Sequence, residues 1–504
     1  VTTYTLRNAS PAKTKADVVI VGVTKGDKGP SVAAGGEDVG AAYARKFRPL
    51  LAIIGFTGKA GETAKVPTSG TINAPLMVLV GLGDAKQLTP AVVRRAAGSA
   101  ARSVSNAASV ALALPADSAE LVRAVTEGFL LGGYTFTDFK RDTKPQSEKS
   151  SEVVVLSPVA RQGEASAAFD RAQLVVEAAT ATRDWVNLPA NALNPVTFAD
   201  QVVAQHKELT KGKGAPEIGI QVWDEDDLAK DGCGGILAVG GGSATPPRMV
   251  KLTWSPEGAT QHVALVGKGI TYDSGGYTIK PPASMVSMKE DMAGAASVIQ
   301  ALFLIARLNL PVKVTAWAPM AENMISGAAM RPGDVLTMRG GTTVEMTNAD
   351  AEGRLILADA LVMATEEKPD AIVDIATLTG AMVVALGEKV AGLMGTDDVV
   401  ADLRVAADVA GEAVWPMPLP DEMHERVRSS KVADLAQSDW VRWGGGLFAG
   451  AFLREFTDGL PWGHLDIAGP GYNTGGAHGY MAPGGTGFGV ATLVEYVAGL
   501  ADLT

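Results

Sequence analysis

Four acids and two lysines between positions 268 and 352 gather where apolar runs end. The run Val263-Ala-Leu-Val-Gly267 reads as a buried strand and opens into Lys268-Gly-Ile-Thr-Tyr-Asp273-Ser-Gly-Gly-Tyr-Thr-Ile-Lys280, a glycine-rich loop with two lysines and an aspartate. Charged groups in such a place need partners. Asp291 stands near the start of a helical pattern over roughly Lys289 to Leu308 that is apolar on almost every side. Taken alone, an acid in a first turn would only complement the helix dipole. A third cluster, Asn348-Ala-Asp350-Ala-Glu352-Gly-Arg354-Leu355, follows a strand-like run at Thr342–Met346 and leads into an apolar helix from Leu355 to about Ala364. Two carboxylates and a guanidinium therefore meet at a strand-to-helix junction.

Brought together, Asp273, Asp291, Asp350 and Glu352 supply four negative charges, which two divalent cations would neutralise; otherwise the acids repel one another or stay partly protonated. Oxygen ligands suit Mg²⁺ or Mn²⁺, and a lysine nitrogen draws the site toward Zn²⁺ or Co²⁺. Lys268 can ligate only as a neutral amine, a loss of its proton that the field of the cations favours. Lys280, held slightly farther away, would stay charged and polarise a carbonyl. The five histidines form no HExxH pair and none stands beside a G-x-S-x-G serine, which removes the zincin and serine-hydrolase readings. His464 reads as a structural histidine.

The elements that must position these groups form two α/β sets. In the first third, apolar runs at Asp17–Val23, Leu50–Phe56, Leu76–Leu82, Ser109–Leu114 and Glu152–Leu156 read as strands of a largely buried sheet. Helical patterns at Ala91–Ser105 and Ala119–Leu131 alternate with them. Gly81-Leu-Gly83 lacks the third glycine and downstream acid of a nucleotide fingerprint and reads as a turn. Lys140–Ser151 reads as an exposed loop. A long helix over about Glu164 to Val186 links this set to the larger half, where strands are predicted at Gly219–Trp223, Met249–Thr253, Val263–Gly267, Val312–Pro319, Thr342–Met346 and Ala371–Ala376. The expectation is an α/β protein: a small N-terminal α/β domain (1–163), a linking helix (164–186) and a larger C-terminal α/β catalytic domain (187–504) with a central mixed sheet flanked by helices.

Composition bounds the rest. The 504 residues carry Lys+Arg 44 against Asp+Glu 55, a net charge of −11, which argues against a generally basic surface for nucleic acid or anionic lipid. With 47% hydrophobic and 20% charged residues the chain is an ordinary globular one. The single cysteine, Cys233, excludes an internal disulfide and a cysteine metal cluster, and reads as a small buried thiol of a reducing compartment. No secretory segment and no run long enough for a membrane helix is read, so a cytoplasmic location is expected.

The stretch Asn348-Ala-Asp-Ala-Glu-Gly-Arg-Leu355, with Val266-Gly-Lys-Gly-Ile-Thr-Tyr-Asp-Ser-Gly-Gly276 and Asp291-Met-Ala-Gly-Ala-Ala296, closely resembles the leucyl aminopeptidase family of two-metal exopeptidases, the cytosol aminopeptidases. Supporting stretches are Glu322–Gly327, Asp374–Gly380, His464–Gly469 and Gly485–Gly487. The resemblance is strong from about Arg183 onward and covers the first third only in layout. Ala349 replaces the threonine usual between Asn and Asp, and Tyr272 the usual phenylalanine. The resemblance implies that Lys268, Asp273, Asp291, Asp350 and Glu352 are the metal ligands and that Lys280 and Arg354 are the catalytic pair. Two metals ~3.5–4 Å apart, Mn²⁺ or Zn²⁺ with Mg²⁺ or Co²⁺ as alternatives, would hold a hydroxide that attacks the first peptide carbonyl. The substrate amine would bind one metal and Asp291, and Arg354 would seat a bicarbonate that shuttles the proton. A salt bridge from Arg354 to Asp350 or Glu352 is the alternative for that side chain. Met288, Thr377 and Gly380 would line the pocket for a leucine-like first residue. The resemblance also implies a homo-hexamer, a dimer of trimers. The competing function is a DNA-binding or scaffolding role of the N-terminal domain; it would need a basic stripe, whereas Lys46, Lys59, Lys65, Arg94 and Arg95 are scattered.

Overall fold

The protein is described here from a computed structural model over residues 2–27, 29–104, 107–141 and 151–501. It divides into two compact units. One comprises the chain up to Thr180 together with Gly475–Pro483, and the other comprises Ala181–Thr474 and the chain from Gly484 onward. The division falls inside the helix Gly163–Asn187, which runs one residue beyond the predicted helix at each end. Most of the loop expected over Lys140–Ser151 lies outside the described residues.

In the first unit a seven-stranded sheet runs in the order Thr3–Arg7, Glu152–Leu156, Ser109–Ala113, Val18–Gly26, Leu76–Asp84, Thr63–Pro67, with Gly29–Val32 paired to Val18–Gly26. Its inner strands are parallel and both faces are covered. Val18, Ile20, Val78, Val80, Val110 and Leu112 fill one core, and Val19, Val21, Met77, Leu79, Ala111 and Ala113 fill the other. Double burial is why these strands read as continuous apolar runs. The helix Pro90–Ala101 starts where Thr89 caps the Val92 N–H, and Ala119–Gly132 where Ser118 caps Leu121. The predicted strand at Leu50–Phe56 is corrected: Phe47–Ile53 is a helix. Phe47 and Leu51, four apart, face inward while Ile53 is 82% exposed, a one-sided burial that suits a surface helix and not a covered strand. Arg94, counted among the scattered cations, is buried against Glu127 at 2.7 Å and belongs to no surface stripe.

In the second unit the main sheet runs Val414–Pro416, Ala391–Gly395, Trp462–Asp466, Ala371–Ala376, His262–Gly267, Lys313–Asn323, Arg248–Trp254, Ile218–Trp223. The four central strands are parallel, and the pairs beyond them include antiparallel ones, so the sheet is mixed as expected. Helices Ala293–Arg307 and Gly353–Thr365 both pack on His262–Gly267 and its neighbours. The glycine-rich segment after Lys268, read as a loop, contains a further strand, Gly269–Asp273, paired in parallel to the far end of Lys313–Asn323. Cys233 is fully buried in this core, and burial pushes its thiol up to about 12. Among the described residues no helix is long and apolar enough to cross a membrane.

Candidate metal centre

The site sits at the carboxyl ends of the parallel strands, where an open α/β sheet offers loop ends without covering side chains. Lys268 directly follows the strand His262–Gly267; its N–H donates to the Ile375 carbonyl at 3.1 Å and its carbonyl accepts from the Ala295 N–H at 2.8 Å. Asp273 ends the strand Gly269–Asp273. Asp291 lies before the helix, not in its first turn: a short 3-10 turn, Met288–Glu290, precedes it and the α-helix starts at Ala293. The dipole reading of Asp291 therefore falls, and its carboxylate turns instead to Lys268 and Thr377. Asp350 is in the turn before the helix Gly353–Thr365 and Glu352 is that helix's N-cap.

Oxygens of Asp273, Asp350 and Glu352 lie within 4.8 Å of one another. Two lysines thread the acids. Lys268 Nζ is 2.7 Å from Asp291 and 3.0 Å from Glu352, and donates to the Thr377 carbonyl at 2.9 Å. Lys280 Nζ is 2.8 Å from Asp273 and 2.7 Å from Asp350. The Thr377 hydroxyl donates to Asp291 at 2.8 Å. Asn323, whose role sequence reasoning missed, donates to Asp273 Oδ1 at 2.8 Å and to the Ala349 carbonyl at 2.9 Å. Gln437, also missed, accepts from the Thr347 and Asn348 N–H groups and donates to the Asn348 and Ala351 carbonyls. The Ala349 N–H donates to the Thr278 hydroxyl at 3.0 Å. The turn carrying Asp350 and Glu352 is thus pinned through its backbone, and the alanine at 349 leaves no bond of the turn unmade.

Electrostatics follow from this crowding. Burial, reinforced by the Glu352 charge, pushes Asp273 up to about 7 and raises Asp350. Burial likewise carries Asp291 well above the usual carboxylate range. Burial would raise Glu352 too, but Lys268 and Lys280 outweigh it and hold it low. Both lysines are raised, because the surrounding carboxylates overcome the desolvation that would lower them. Lys268 is therefore an ammonium in this arrangement, and the neutral amine that ligation demands requires cationic charge to take over its role.

Two observations show that the residues fit a pair of divalent cations. Glu352 is 1% exposed and its Oε2 has no hydrogen-bond partner, an orphaned anionic oxygen that a cation would satisfy. Asp273, Asp291 and Asp350 are all raised by burial and by neighbouring carboxylates beside only two ammonium groups, and added cationic charge would let them ionise together. With two dications bound, all four acids ionised and Lys268 neutral, the centre would carry a small positive charge, which suits an anionic transition state. Space is allocated accordingly: a Cβ at Gly353 would lie 2.4 Å from Lys268 Cε, so the glycine leaves room for that lysine where it meets Glu352.

Arg354 is buried, donates to the Gln437 carbonyl at 2.8 Å and stacks on Phe448, and its Nε has no hydrogen-bond partner. No carboxylate among the described residues is within ion-pair distance of it, so the salt bridge weighed from sequence is not made. Burial lowers it to about 10, which keeps it charged at neutral pH. Among the expected pocket residues, Thr377 is joined to Asp291. Met288 is half-buried in the turn just before Asp291, and Gly380 is exposed at the start of the helix Gly380–Leu386. His464 is fully buried, its Nδ1 2.5 Å from Asp374 on the neighbouring strand.

Comparison with known proteins gives a consistent answer. Residues 180–494 match the catalytic domain of the cytosol aminopeptidase family and residues 20–143 its N-terminal domain. A probable cytosol aminopeptidase of Streptomyces griseus subsp. griseus is 47% identical over 512 residues, covering 98% of each chain. One of Nocardia farcinica is 47% identical over 497 residues, covering 96% of this chain and 95% of that one. The solved structure of the bottromycin maturation enzyme BotP in complex with Mn superposes with a TM-score of 0.83 at 36% identity, covering 96% of this chain and 100% of that one. The DNA-binding or scaffolding alternative draws no support from these matches.

Proposed function

Because the chain belongs to the cytosol aminopeptidase family, whose members are metal-dependent aminopeptidases, we propose that it releases leucine-like N-terminal residues from peptides at the centre just described. The observation that carries this is the meeting of Asp273, Asp350 and Glu352 within 4.8 Å, with Asp291 tied to the same group through Lys268. Lys268, Asp273, Asp291, Asp350 and Glu352 would hold two divalent cations, which when bound supply Lewis acidity and lower the pKa of water toward neutrality. Mn²⁺ is the first choice, since a solved relative is described in complex with Mn; Zn²⁺, with its affinity for nitrogen, is the second.

The chain's own residues do the remainder. Asp291 receives the substrate's free amine, which fixes the first peptide carbonyl in the site and restricts cleavage to the N-terminus. Lys280, a charged donor held from two sides, aims its ammonium at the oxygen of that carbonyl as negative charge develops. Arg354, whose Nε has no hydrogen-bond partner, would hold a bicarbonate, which when bound would supply a proton acceptor and donor for the reaction. Met288, Thr377 and Gly380 border the first side chain; one methylene there changes discrimination by only ~1–3 kcal/mol, so tolerance is broad. The same reading carries a homo-hexameric assembly and a cytoplasmic location.

The test is hydrolysis of leucine p-nitroanilide by the purified chain. Chelator treatment abolishes turnover, Mn²⁺, Zn²⁺ or Co²⁺ restores it, and the N-acetylated substrate is not cleaved. Full turnover by metal-stripped protein would overturn the reading. In the same assay Arg354→Ala slows turnover by roughly 10²- to 10⁴-fold, the range of general acid–base contributions. It also abolishes stimulation by added bicarbonate and leaves ion content intact. Loss of the ions instead would make Arg354 a structural residue.

A further inference from the structure

Lys268 and Asp291 share one non-ligand partner, Thr377, whose carbonyl accepts from Lys268 and whose hydroxyl donates to Asp291. What holds Thr377 is the loop after the strand Ala371–Ala376, and that loop is bonded by a buried side chain of the adjacent strand. Asp466, at the end of the adjacent strand Trp462–Asp466, is 0% exposed. Its Oδ1 accepts from the N–H groups of Leu378 at 3.2 Å, Thr379 at 3.4 Å and Ala468 at 3.1 Å, and its Oδ2 from the Thr379 hydroxyl at 2.7 Å. Among the described residues it has no ion-pair partner. A fully buried, unpaired carboxylate is costly to keep, and here it fixes the one turn that supplies both bonds to the inner ligands. The other half of the centre, Lys280, Asp273 and Asp350, is buttressed separately by Asn323 and makes no bond to Thr377.

We infer that Asp466 is a positioning residue which, through Thr379 and Thr377, orients Lys268 and Asp291 and thereby sets the affinity of one of the two cations and not of the other. The inference rests on the two-cation reading above. It predicts a selective effect, because removing an outer partner that orients metal ligands costs 10- to 100-fold in affinity at the site concerned.

The experiment is calorimetric titration of the chelator-treated full chain with Mn²⁺. Wild type shows two binding classes. Asp466→Asn, which keeps shape but loses charge and one acceptor, weakens one class by about 10- to 100-fold and leaves the other unchanged. Thr379→Val does the same to a smaller degree, and Thr379→Ser restores wild-type binding. Asn323→Ala weakens the opposite class. Equal weakening of both classes with a lowered Tm would reduce Asp466 to a fold-stabilising role, and unchanged binding would also overturn the inference. If Asp466→Asn does not fold, Thr379→Val and its serine rescue decide alone. Failure of wild type to bind two ions would instead overturn the two-cation reading, an outcome distinct from both.

Discussion

Glu352→Ala is expected to lower turnover of leucine p-nitroanilide by roughly 10³-fold or more, about 4 kcal/mol of transition-state stabilisation, the scale of losing a central electrostatic element of an active site. Ion content should fall from two per chain to one or none. Glu352 carries this effect because it belongs to both halves of the centre: it pairs with Lys268 at 3.0 Å, and its oxygens lie in the same cluster as Asp273 and Asp350. Deleting it removes an anion that Lys268 and Lys280 hold ionised, which weakens the attraction for a second dication, and strips Lys268 of one of its two carboxylates. Glu352→Gln separates charge from shape, since it preserves volume and one acceptor while removing the anion. It should resemble the alanine variant in ion content and keep the wild-type Tm. Wild-type ion content with wild-type turnover in either variant would show that the acids meet for another reason. Elemental analysis of the gel-filtered proteins beside the kinetic assay reads both quantities.

The charged residues of the site are legible in the sequence because a charge at the end of an apolar run is conspicuous: Lys268, Asp273, Asp350 and Glu352 all punctuate strand ends or the start of a helix. Ala371–Ala376, a run buried at every position, is a strand over the same residues that its pattern marks. Short amphipathic elements were harder. Leu50–Phe56 reads as a strand because the period of the helix is set by Leu51 inside the run and Phe47 before it, so the run by itself shows no helical spacing. Gly269–Asp273 was hidden by its glycine and polar residues, and it is a strand because the long neighbour Lys313–Asn323 extends far enough to pair with it. The supports of the site had no local signal at all. Gln437 reaches the Asn348 carbonyl across 89 residues of sequence, and Asp466 reaches the Thr379 hydroxyl across 87. Such bonds are made where parallel strands lie side by side, Thr343–Glu345 with Leu435–Ala436 in a small separate sheet and Ala371–Ala376 with Trp462–Asp466 in the main one, so they emerge only once the strand order is known.

Lys280→Met should also produce a large loss, with a different signature. It removes the one charged donor that is poised for the substrate and not needed as a ligand. The fall is expected in kcat, by about 10²- to 10³-fold, with KM little changed, because a donor aimed at developing charge acts on the transition state and hardly on the ground state. Ion content should be retained. Without Lys280 the cluster loses one positive charge, and Asp273 and Asp350 lose their shared ammonium at 2.8 and 2.7 Å, so the attraction for dications rises. Lys280→Arg should not restore activity. The guanidinium is a planar fork where the site holds a compact ammonium between two carboxylates, and Arg and Lys are not interchangeable in that geometry. The neighbouring carboxylates also hold Lys280 above the ordinary lysine range despite its burial. Stopped-assay kcat and KM with elemental analysis distinguish the alternatives: a raised KM at constant kcat would make Lys280 a substrate-binding group, and loss of an ion would make it part of the ligand scaffold.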